Sequence, residues 1–291
     1  MKTMRTTGIF IAAALLSIKV MAQQTQELVV PLSDPGKPYK LEAGLVTGSI
    51  KIIGYEGKDV VINAEGDERK HEDRGERDGM HRVVGGTSLD ITAKERNNSV
   101  SIDAGIPNKT VNLTIKVPQN GATLKLSTVN GKCITVSNVS GDMEINCTNG
   151  YITMDNISGS VVASSINGNV KVGFKTIDPK APMAFSTLNG NVDVTFPASL
   201  KASFKLKSDR GEIYTDFDLI TDKSTPKVNK SVKEGMYRLT MDEWVTGKVD
   251  GGGPEMMMKT MNGNIYIKKA KENTSKTCFQ FPPRGGLWQT V

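Results

Sequence analysis

Apolar and polar residues alternate with period two in TSLDITAK, NSVSID and VNLTIKVP, and most regularly from residue 122 to 216. Such alternation predicts β-strands with one buried and one solvated face. In the regular stretch the strands return to one kind of corner: Asn130-Gly131, Asn149-Gly150, Asn167-Gly168, Asn189-Gly190 and Arg210-Gly211, then Asn262-Gly263 after an insertion. The steps between the first five are 19, 18, 22 and 21 residues. A second series, VSGDMEI at Gly141 and ISGSVVA at Gly159, halves that period, so each repeat holds two strands and two turns.

The repeats agree column by column. Two positions before each corner stand Thr128, Cys147, Ser165, Thr187, Ser208 and Thr260, all small. Two positions after the glycine stand Ile152, Val170, Val192, Ile213 and Ile265, all β-branched. Asn-Gly is the pair favoured where both turn residues take positive φ, which predicts that conformation at Gly168 and at Asn167. A hairpin would use the same pair. Recurrence in a single inward/outward register instead favours like stacked on like, with rungs about 4.8 Å apart. The fold class expected is all-β, a single-stranded β-solenoid (β-helix or β-roll) with rungs of 18–22 residues and Asn-Gly corners. Val170 then faces in and Asn169 out. Few aromatic residues (5 %) and 29 glycines suit a thin core.

Lys2 and Arg5 precede an apolar run from Gly8 to Ile18, and Val20 and Ala22 supply a small-residue cleavage context. Residues 1–22 read as a secretory signal peptide, removed to leave Gln23 first, with no stable membrane span afterwards. Residues 23–121 read as irregular β rungs interrupted by an exposed, densely charged loop at 65–82. Residues 122–269 form the regular array, with a turn-rich insertion near 217–240, and 270–291 is a polar, then Pro/Gly-rich tail. Removing Lys2, Arg5 and Lys19 takes the net charge from +6 to +3, too small a surplus to indicate nucleic acid.

Cys133, Cys147 and Cys278 form an odd set without C-x-x-C spacing, so neither a disulfide framework nor a zinc site is indicated. Cys133 and Cys147 read as small core residues, a bridge between them being the alternative. His71 and His81 lie among acids with nothing regular to fix them, and no metal site is expected there.

The T-x-N-G-x-I-x-[VI] rungs, the [VI]-S-G-x-[VM] half-turns and the closing GGGPEMMMKTMNGNIYI resemble a bacterial adhesin-like family of β-strand-repeat envelope proteins, over roughly residues 40–269. The resemblance implies a β-solenoid in an exported protein and carries over no catalytic residues. The residues themselves agree on chemistry. Asp142, Asp155, Asp193 and Asp216 are scattered singly, and G-x-S-x-G, a P-loop and a nonapeptide calcium repeat are absent. Met256, Met257 and Met258 read as core filling split between two faces.

No catalytic residue, metal or cofactor is therefore expected. The candidate binding surface is an outward column containing Lys171, Asp193, Tyr214 and Tyr266, with the tyrosines adjacent if their rungs stack directly. Paired exposed aromatics can hold a sugar ring or dock a partner. The function expected is a non-enzymatic exported envelope or surface protein, periplasmic or extracellular, presenting a face to a glycan or an envelope protein. The alternative is a carbohydrate-active β-helix enzyme, a polysaccharide lyase or hydrolase with a degenerate site, which three acids clustered on one face would favour.

Overall fold

The computed structural model of the chain describes residues 27–66, 91–104, 110–222, 227–233, 236–242 and 244–271. The leader at 1–22, His71, His81, Cys278, most of the 65–82 loop and nearly all of the 270–291 tail lie outside the described residues.

Nineteen strands and no helix occur among the described residues. The N-terminal part contributes β1 (Glu27–Val30), β2 (Tyr39–Tyr55), β3 (Val60–Gly66), β4 (Ile91–Arg96), β5 (Ser99–Ala104) and β6 (Val111–Pro118). The regular array contributes β7 (Ala122–Ser137), β8 (Ser140–Asn167), β9 (Val170–Ile177), β10 (Met183–Asn189), β11 (Val192–Phe196), β12 (Ala202–Ser208) and β13 (Ile213–Thr215). There follow β14 (Ile220–Asp222), β15 (Lys227–Lys233), β16 (Met236–Asp242), β17 (Val245–Val249), β18 (Glu255–Asn262) and β19 (Ile265–Lys269). The insertion near 217–240, expected to be turn-rich, thus holds strands, and β15 and β16 pair antiparallel in a sheet of their own. Part of the reason is in its sequence: MYRLTMD alternates apolar with polar residues at Tyr237, Leu239 and Met241.

The other seventeen strands form one hydrogen-bonded sheet. Its parallel pairs set each repeat on the next in register. Asn130 lies opposite Asn149, Ser165 opposite Thr187, and Val170 opposite both Ile152 and Val192. Alternate residues are enclosed: Ile152, Val170, Val192 and Ile265 are fully buried, whereas Ile213, on the terminal parallel strand, is half-buried. Met256 and Met258 point into the same core, with Met257 between them less covered. The core also holds a run of rings. Phe174 stacks on Phe196 at 5.3 Å, and Phe185 and Phe204 meet the pair edge-on.

Stacking order is not chain order. The pass formed by β2 lies between the β5–β6 pass and β7. At the other end the β18–β19 pass lies between β10–β11 and β12–β13. Matching registers permit this, because a rung that presents the same columns fits any neighbour. Antiparallel strands then cover the outer passes: β3 and β4 on β6 and β5, and β17 on β12. Their reversed direction ends the repeat, which blunts the edges that a parallel stack would offer to another chain.

The corners differ from the expectation in their physics. Gly168 takes positive φ (+157°), but the asparagines that do so are Asn97, Asn98, Asn138 and Asn156, and Asn167 is not among them. The corner asparagines serve a different end. The Nδ2 of Asn149, Asn167, Asn189 and Asn262 each donates to the Oδ1 of the asparagine one rung before, at 3.0, 2.8, 2.7 and 2.6 Å. This is the amide ladder that in-register stacking makes possible. Four members of the small column share a bond: the hydroxyls of Ser165, Thr187, Thr260 and Ser208 donate to the carbonyls of Gly150, Gly168, Gly190 and Gly263, whereas Thr128 Oγ1 in the same column is buried without a partner among the described residues.

Candidate functional site

Parallel pairing of β9, β11, β19 and β13 brings Lys171, Asp193, Tyr266 and Tyr214 into one outward column, in that order. Period-two alternation is what turns all four away from the core, since Val170, Val192 and Ile265 beside them point inward. The Tyr214 and Tyr266 rings stack at 5.3 Å between centroids and 7° between planes. Tyr214 lies on the terminal parallel rung and is 47 % exposed.

Residues two positions away complete the surface. The Tyr214 hydroxyl donates to Glu212 Oε2, and Asn264 Nδ2 donates to the Tyr266 hydroxyl at 2.9 Å. Lys268 Nζ sits 5.2 Å from the Tyr266 ring centroid and 2.6 Å from Asp193 Oδ2. Asp193 Oδ1 is shielded from solvent and has no partner among the described residues. The hydrogen bond to Glu212, reinforced by its charge, raises the pKa of the Tyr214 phenol. Glu212, Asn264 and Lys268 were not singled out from sequence, although i±2 spacing from each tyrosine signals the shared face.

Two further exposed features lie elsewhere. Val46, Val129, Ile166, Leu188 and Met261 are large exposed apolar residues. Each immediately precedes a corner position, so together they form a ridge beside the amide ladder. Lys205 and Lys207 approach the Trp244 ring at 4.8 and 5.7 Å. Among the described residues no three His, Cys, Asp or Glu side chains gather at one point. Cys133 and Cys147 are both free thiols, and burial pushes the Cys147 thiol up. No described helix is long and apolar enough to cross a membrane.

Residues 128–240, fewer than half of the chain, match the family described as Toastrack DUF4097. No curated protein sequence matches the chain. Among solved structures it is similar to a candidate cell adhesion protein from Clostridium sporogenes ATCC 15579, at 14 % identity and a TM-score of 0.46. That match covers 84 % of this chain and 99 % of the other. It is also similar to a candidate adhesin from Bacteroides fragilis NCTC 9343, at 12 % identity and a TM-score of 0.36, covering 84 % of this chain and 96 % of the other.

Proposed function

We propose that this chain is a non-enzymatic exported envelope or surface protein, a single-stranded β-solenoid that presents outward columns to a glycan or an envelope protein. Export rests on the leader at 1–22 and leaves the mature protein in the periplasm or outside the cell. The solenoid reading rests on parallel passes that set Asn on Asn and Val on Val. The observation that carries the binding reading is the stacked Tyr214–Tyr266 pair, Tyr214 exposed and Tyr266 half-buried, rimmed by Glu212, Asn264 and Lys268. An aromatic surface edged by hydrogen-bonding groups suits a sugar ring, whose C–H face packs on the ring while its hydroxyls reach the rim.

The test is a glycan array probed with the mature protein and with Tyr214→Ala and Tyr266→Ala. Both variants should lose binding while keeping the far-UV spectrum of the parent. Retained binding would remove the tyrosine column from the reading, and polysaccharide turnover by the parent would overturn the non-enzymatic assignment.

A further inference from the structure

At a different corner, three successive turns of chain line an open surface cleft of about 220 Å³, formed by Gln119, Asn120, Asn138, Ser140, Asn156, Ser158 and Lys175 around the buried Val139. The sequence builds it by repetition. Asn138-Val139-Ser140-Gly141 and Asn156-Ile157-Ser158-Gly159 are the same turn written twice, with the asparagine at φ +58° and +54°. In each, the aliphatic residue after the asparagine is buried and anchors the turn. The backbone is satisfied by stacking: Ser140 N donates to Gln119 O at 2.7 Å, and Ser158 N donates to Val139 O at 3.0 Å.

Most of the lining side chains are open to solvent and carry no protein partner. Asn156 Nδ2 donates to Asn138 Oδ1 at 2.6 Å, which fixes both amides. The side chains of Gln119, Asn120, Ser140, Ser158 and Lys175 make no hydrogen bond or ion pair with another described residue. Four carboxamides, two hydroxyls and one ammonium thus face a concavity that contains no acid and no aromatic ring. Carboxamides and hydroxyls both donate and accept, as vicinal sugar hydroxyls require, and a single ammonium matches a single carboxylate. Nucleic acid would call for several cations and stacking rings, and an apolar ligand would find only Val139. The volume is below the range of about 300–1,000 Å³ usual for drug-sized ligands, so it suits one sugar residue.

We propose that this cleft binds a uronic-acid residue of an acidic polysaccharide, its carboxylate on Lys175 and its hydroxyls on the Asn138–Asn156 pair, Gln119 and Ser158. The site shares no residue with the tyrosine column, so it stands or falls independently of the binding surface proposed above.

The experiment is a titration of the mature, isotope-labelled protein with digalacturonate, and with its neutral methyl ester, followed by amide NMR. Digalacturonate should shift the side-chain amides of Asn138 and Asn156, and the ester should bind more weakly. Lys175→Gln should weaken binding by about tenfold or more, the usual worth of a charge-assisted hydrogen bond. Lys259→Gln, the same charge change at an exposed position outside both surfaces, should leave the affinity unaltered. Lys175 is exposed, so its substitution leaves the fold intact. Absence of shifts, equal affinity for acid and ester, shifts confined to the Tyr214–Tyr266 surface, or equal loss in both variants would each overturn the proposal.

Discussion

Gly168 sits directly on Gly150: a Cβ at position 168 would come within 2.0 Å of the Gly150 carbonyl oxygen. That oxygen belongs to backbone and is held by the Ser165 hydroxyl at 2.9 Å, so it has little room to retreat. Gly168→Ala should therefore cost about 3 kcal/mol, combining a positive-φ penalty with the clash. Urea denaturation measures it. A midpoint equal to that of the parent would mean that the rungs are not this close.

The amide ladder makes Asn167 more than a turn former. Its Nδ2 donates to Asn149 and its Oδ1 accepts from Asn189. Asn167→Ala removes both bonds at an exposed position and should cost about 1–2 kcal/mol. A loss within about 0.3 kcal/mol would show that water replaces the ladder freely.

Asn169 is exposed, as its outward register predicts, yet its Oδ1 accepts the backbone N–H of Asn191 at 2.8 Å. Asn191 repeats the contact with Asn264, and Asn264 with Glu212. From sequence alone, Asn169→Lys would be neutral. With the bond present it should destabilise by about 1 kcal/mol, and Asn169→Asp, which keeps the acceptor, by less. Denaturation midpoints in the opposite order would discount the bond.

Val170→Asp places a carboxylate among Ile152, Val172 and Val192, all buried. With no partner in reach of that core, the loss should be about 4 kcal/mol or more, the largest of the set. Dispersion of the amide NMR spectrum should collapse. A variant as stable as Asn169→Lys would refute the inward/outward register.

Tyr214 gives a test by pH. Because Glu212 holds its folded-state pKa above the unfolded value, the contribution of this pair is fully present below the ordinary tyrosine range of about 10. It is lost as pH rises through the raised folded value. Titration by tyrosinate absorbance should show Tyr214 ionising late, as Tyr39 does through burial and Tyr151 through Cys133, and Glu212→Gln should remove one group from that late set. An unchanged titration curve would mean that the contact does not persist in solution.

What the sequence made legible follows from which signals have a single physical source. The columns through Val170 and Thr187 were readable because period two with one buried face leaves a single interpretation. The contact between Tyr214 and Tyr266 was readable as a consequence of direct stacking of their rungs. The ladder was not, since Asn-Gly has the same spelling in a hairpin, where asparagine is chosen for its φ rather than for its amide. Nor was the stacking order: Thr260 fits against Thr187 and against Ser208 equally well, and only the fold selects both.

The interleaved ends bear on how the chain can be assembled as it is made. β7 to β11 form a contiguous block whose neighbours are local in sequence, and it can close while the rest is still emerging. β12 cannot follow in turn, because its parallel partner is β18, which is synthesised later. Its final seat is a slot that does not exist until the C-terminal rung arrives. The C-terminal end is thus completed out of chain order, and pulse-labelling hydrogen exchange should find β12 protected only together with β18. A chain ending before β18 would therefore lose the place of β12 as well as the missing rung.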